Sequence, residues 1–171
     1  RDSVHDVGEQ QGRTVMSTEQ SAPAAQSGTF ELAGEVAVNR LGFGAMRITG
    51  QGIWGEPADA DEARKVLRRA VELGVNFIDT AYAYGPEVSE RLIGETLAPY
   101  PEDVVVATKS GLQRSGPNRW HPDGRPETIR RECERSLELL RRETIDLYQL
   151  HRPDPGVPLE ESLGTMVDLQ R

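Results

Sequence analysis

The feature that most restricts how this chain can fold is an alternation of two hydrophobic periods. From residue 41 onward, short apolar runs suited to buried strands are each followed by a segment whose apolar residues recur at three- and four-residue intervals. LGFGAM (41–46) precedes DADEARKVLRRAVELG (59–74), in which Ala63, Val66, Leu67, Ala70 and Val71 share one helical face and Gly74 closes the helix. VNFID (75–79) precedes a helix around SERLIGETL, VVVATK (104–109) precedes PETIRRECERSLELLRR, and IDLYQL (145–150) precedes a helix that begins after Pro158. Pro126 sits in the first turn of the third helix, where its missing N–H costs nothing. Strands separated by helices predict crossover connections and hence a parallel α/β sheet.

Two architectures use such a sheet. A doubly wound sheet opens with a glycine-rich turn leading straight into a helix, whereas Gly42 and Gly44 lead into a long loop containing GQGIWGEP, with no third glycine at the required spacing. Strand starts near 41, 75, 104 and 145 instead suit the roughly 250-residue, eight-unit barrel. Four units predict the N-terminal half of a (β/α)8 TIM barrel over 29–171, cut in or near its fourth helix. TFEL and VAV, flanking Ala33–Glu35, predict a small β-hairpin in front of it. Residues 1–28 read as a disordered leader, of which 1–15 precede Met16 and read as upstream, non-native material.

Composition limits the partners. With 20 Lys+Arg against 28 Asp+Glu the formal charge is -8, which gives no electrostatic footprint for nucleic acid or an anionic membrane. No run approaches the roughly 20 apolar residues of a membrane span, and the start carries no signal-type apolar core. The lone cysteine, Cys133, falls at a helical apolar position and reads as a small core residue. The histidines and that cysteine form no metal-ligand spacing, so no metal is expected. A small-molecule protein of the reducing cytoplasm is the expectation.

The polar exceptions on the strands carry the chemistry. With a period of two, the face holding Phe77 also holds Asp79, the face of Val105 and Ala107 holds Lys109, and the face of Leu147 and Gln149 holds His151. Each polar group ends its strand, and C-terminal strand ends form the catalytic rim of a barrel. Asp79 thereby acquires Lys109 as a partner, with Tyr84 in the loop just after the acid. Tyr82 is the competing tyrosine. Trp54 and Trp120 fall in loops above the same rim and are candidates for the substrate pocket wall.

These residues resemble the aldo-keto reductases. DTAYAYG is similar to that family's acid and tyrosine motif, ATK supplies its lysine and DLYQLH its histidine. VNRLGFGAMRITG, GIWGEP and LHRPDP look most like the bacterial branch that includes pyridoxal reductases (pyridoxine 4-dehydrogenases). The resemblance implies NADP(H)-dependent reduction of an aldehyde or ketone, with pyridoxal among the candidate substrates. It implies that Tyr84 is the general acid/base, that Lys109 lowers the pKa of its phenol, that Asp79 keeps the lysine charged and aimed, and that His151 orients the carbonyl. It also implies cofactor contacts at Gly44, Ala45, Met46 and Asp79. Two other classes fit a rim lysine: a Schiff-base barrel of the class I aldolase kind using Lys109, and a non-catalytic binding subunit of the same family.

Overall fold

The computed structural model describes residues 22–171. Strands β1 (Thr29–Leu32) and β2 (Val36–Asn39) pair antiparallel, joined by a turn over residues 33–35 in which Ala33 and Gly34 are at positive φ. Strand β3 (Phe43–Gly44) runs into a single 3-10 turn over Ala45–Ile48, so only two residues of LGFGAM are strand. Then come α1 (Ala60–Glu72), β4 (Phe77–Asp79), α2 (Val88–Leu97) and β5 (Val105–Ser110). The hairpin β6 (Leu112–Gly116) and β7 (Arg119–Pro122) follows, and α3 (Pro126–Leu140), β8 (Leu147–Leu150) and α4 (Leu159–Gln170) complete the chain. β3, β4, β5 and β8 form one parallel sheet in that order. Four consecutive right-neighbour units of this kind are half of a TIM-type barrel.

The helices lie where their capping and periodicity place them. Asp59 accepts the Glu62 amide at 2.8 Å and caps α1, and Gly74, at φ 85°, reverses the chain into β4. Leu67, Leu92, Ile93 and Leu140 from the helices meet Ile78 and Val106 from the sheet's outer face in one core, each fully buried. Gly94 lets α2 lie against α3, because a Cβ there would run into the carbonyl of Leu139. The outer layer is therefore packed as a barrel's is.

Three expectations need correction. Residues 23–27 are not part of a disordered leader: Pro23–Ser27 form a 3-10 turn with Ala24 buried, anchored by the Ala24 amide on the Leu73 carbonyl at 2.8 Å. The rest of the leader lies outside the described residues. Val66, placed on the buried face of α1, is 40% exposed, because Ala63 and Leu67 point to the core and Val66 faces past them to the outside. The segment 112–122 is not a loop but a hairpin, and Trp120 and His121 are strand residues. Its tight Pro117–Asn118 turn, with Asn118 at positive φ, is the local cause.

Candidate active site

Strand pairing brings the rim residues together. Gly44 pairs with Asp79, Asp79 with Ala107, and Lys109 with Gln149, so the lysine stands one pleat beyond the acid and reaches back to it. Lys109 Nζ donates to Asp79 Oδ1 at 2.6 Å and to the Thr80 carbonyl at 2.7 Å. The loop after β4 is itself tied to β5, the Thr80 amide donating to Ala107 O and the Tyr82 amide to Lys109 O. This loop turns at Ala81–Tyr84, and Gly85, at φ 105°, lets the chain pass beside Val88 into α2. His151 follows β8 directly, its amide extending the ladder to Ser110 O at 2.8 Å.

The Tyr84 ring is the centre of the group. Lys109 Nζ lies 5.5 Å from its centroid, and the His151 ring meets it edge to face at 5.7 Å and 83°. Tyr82 points elsewhere: its hydroxyl donates to Glu87 at the N-terminus of α2, whose carboxylate also accepts from Arg135 of α3. Asp79, Tyr84, Lys109 and His151 thus share one rim, and Tyr82 does not.

The electrostatics differ from the expectation in one respect. Burial, followed by the negative charge of Asp79, pushes the Tyr84 phenol above its usual pKa. The Lys109 ammonium was expected to lower it, but both of its hydrogen bonds go to Asp79 and Thr80, and the acid's charge offsets its own. His151 is shifted down to about 4, first by burial and then by Lys109, so its imidazole is neutral at ordinary pH and carries one N–H donor.

The residues present fit a nicotinamide-type cofactor. Gly44 ends β3 beside Asp79, and a Cβ on it would meet nothing within 4 Å, so its backbone is open to a flat ring. Buried Gln149 Oε1 and His151 Nδ1 have no hydrogen-bond partner, as an acceptor and a ring nitrogen awaiting polar neighbours would. Of the other backbone candidates, Met46 is half-buried, whereas Ala45 packs into the core and its carbonyl accepts from Ser89. No cluster of three metal-ligating side chains occurs among the described residues. Nor is any described helix long and apolar enough to cross a membrane.

Sequence reasoning missed Arg114. Trp54 and Trp120, expected over the rim, both stand against its guanidinium, whose carbon lies 5.7 and 3.6 Å from their ring centroids. The alternating GLQRSG and NRWHP stretches around a Gly-Pro-Asn turn were the signal that could have found this hairpin.

An acid, a lysine, a tyrosine and a histidine thus meet at the C-terminal ends of the strands of half a parallel barrel. The chain belongs to the aldo/keto reductase family, whose model matches residues 40–171. It is 49% identical over 148 residues to the uncharacterized oxidoreductase C215.11c of Schizosaccharomyces pombe, covering 86% of this chain and 48% of that protein. It is 38% identical over 152 residues to the pyridoxine 4-dehydrogenase of Escherichia coli, covering 85% of this chain and 52% of that one. Among solved structures, the glycerol dehydrogenase AKR11B4 of Gluconobacter oxydans superposes with a TM-score of 0.74 at 39% identity, over 84% of this chain and 45% of the other. The chain spans about half the length of the curated relatives it matches.

Proposed function

We propose that the barrel of which these four units are half reduces an aldehyde or ketone to an alcohol with NADPH, and that Tyr84 is the proton donor. The observation that carries this reading is the convergence of Lys109, with Asp79 bonded to it, and His151 on the Tyr84 ring. A bound nicotinamide would supply the hydride to the carbonyl carbon. Gly44, Met46, Asp79, Gln149 and His151 are the residues suited to hold its ring. The neutral His151 N–H donates to the substrate oxygen and orients it, in the manner of an oxyanion hole. As negative charge builds on that oxygen, Tyr84 Oη gives it a proton, with Lys109 Nζ 5.5 Å from the ring centroid and held there by Asp79 and the Thr80 carbonyl. A phenol kept protonated by burial and by Asp79 suits the reductive direction.

Relatives named for pyridoxine and for glycerol support an alcohol/carbonyl pair as the substrate class, and pyridoxal remains the candidate we favour among them. The Schiff-base reading fits less well, since Lys109 Nζ is tied to the Asp79 carboxylate and the Thr80 carbonyl instead of standing free to attack a substrate. The test is Tyr84→Phe in the complete-barrel protein. NADPH binding should persist while aldehyde reduction falls about 100-fold or more, as for a lost general acid. Near-normal turnover in that variant would remove Tyr84 from the chemistry.

A further inference from the structure

An arginine side chain carries five N–H donors, and in Arg114 all five are used on backbone carbonyls. Nη2 donates to Gly52 O at 2.8 Å and Gly116 O at 3.2 Å, Nη1 to Ala83 O at 3.2 Å and to Ile53 O, and Nε to Arg119 O at 3.3 Å. Those carbonyls belong to three separate pieces of chain: the loop after β3, the loop after β4, and the hairpin itself. Trp120 is the direct cross-strand partner of Arg114, its ring centroid 3.6 Å from the guanidinium carbon, with that of Trp54 at 5.7 Å. The Trp54 loop is fastened a second time, through a bridge from Trp54 to Gly85 and the Gly55 amide on Gly85 O at 2.5 Å. Ala83 and Gly85 are the residues on either side of Tyr84.

A guanidinium with no donor left over cannot itself bind substrate. Burial alone acts on it, shifting it below its usual pKa, with no carboxylate contributing. The guanidinium is half-buried and held by carbonyl dipoles alone, and its fork geometry is the property that lets one group reach carbonyls on three segments. We infer that Arg114 is a positioning residue that fixes Trp54 and Trp120 as one aromatic wall beside Tyr84, and that this wall makes the site select aromatic over small aliphatic carbonyls. The inference rests on carbonyl reduction at Tyr84.

The experiment measures kcat/KM for benzaldehyde and for propanal, with NADPH, in the complete-barrel protein and in its Arg114→Met and Arg114→Lys variants. Loss of the wall should lower the benzaldehyde-to-propanal ratio about tenfold in Arg114→Met, chiefly through the KM for benzaldehyde. Arg114→Lys keeps the charge but not the fork, so it should move the ratio the same way. A merely structural role would depress both aldehydes equally and leave the ratio where it was, and that result overturns the inference. Should Arg114→Met fail to fold, Arg114→Lys decides on the same ratio. A parent protein that turns over neither aldehyde overturns the carbonyl-reductase reading and the inference with it, whereas active parent and variants with one ratio overturn the inference alone.

Discussion

At the scale of single residues, the Asp79 carboxylate has two effects on Tyr84 that oppose each other through the lysine. It aims Lys109, and its own negative charge adds to burial in raising the pKa of the phenol. Alcohol oxidation needs the tyrosinate, so it should have its optimum on the alkaline side, while reduction proceeds at neutral pH from the phenol. Asp79→Asn removes the charge that raises the phenol and leaves the lysine cation unopposed. The oxidation optimum should therefore move to lower pH, even as the maximal rate drops from poorer positioning of Lys109; a pH profile of oxidation in parent and variant checks this, and an upward move would be incompatible with the geometry. Asp79, Lys109, Tyr84 and His151 were legible in the sequence because each interrupts an apolar period at a strand's end. Arg114 was not, since nothing local shows that five carbonyls from three segments will converge on one side chain.

At the scale of elements, the seam between α2, α3 and β5 contains two buried carboxylates. Glu90, fully buried, accepts from Thr108 at 2.5 Å and is pushed up to about 7, chiefly by burial. Glu132 is raised as well, despite accepting from the Gly111 amide at 2.9 Å and from Gln113. A carboxyl whose folded pKa lies above its unfolded value binds its proton more tightly when folded. Its contribution is complete at pH below the unfolded value near 4.5 and is lost as pH rises to about 7. The loss for Glu90 is on the order of 3 kcal/mol. Glu90→Gln cannot ionise, so denaturant unfolding of the complete-barrel variant between pH 4.5 and 7 should show a shallower fall in stability than the parent; equal slopes would remove Glu90 from that dependence. The four strands and four helices were readable from period and caps. The β6–β7 hairpin was obscured because its alternation mixes charged and aromatic residues, and Val66 was misplaced because a five-residue apolar stripe is wider than the contact a sheet face can cover.

At the scale of the molecule, β3 and β8 are the two edges of the sheet, with no strand paired outside them among the described residues. β5, flanked on both sides, is almost wholly buried, whereas all four residues of β8 are only half-buried. Leu159, Leu163 and Val167 on α4 are each more than 40% exposed. Unpaired strand edges next to exposed apolar side chains template association. A polypeptide of these 171 residues alone should therefore elute as dimers or larger species at micromolar concentration and melt without a sharp transition. Light scattering coupled to size exclusion makes the measurement. A monodisperse monomer with a cooperative melt would show that the exposed face is tolerated as it stands.

The sequence by itself determined the parallel α/β class, the order of its units and the four polar strand ends, because hydrophobic period and strand alternation are local properties of the chain. The tertiary structure alone decided which charge acts on which group. Whether Lys109 stabilises tyrosinate or is neutralised by Asp79, whether His151 is charged, and whether Arg114 joins three loops all depend on distances and burial between residues 30 or more positions apart. Coulombic and desolvation energies follow separation in space, which periodicity along the chain does not encode.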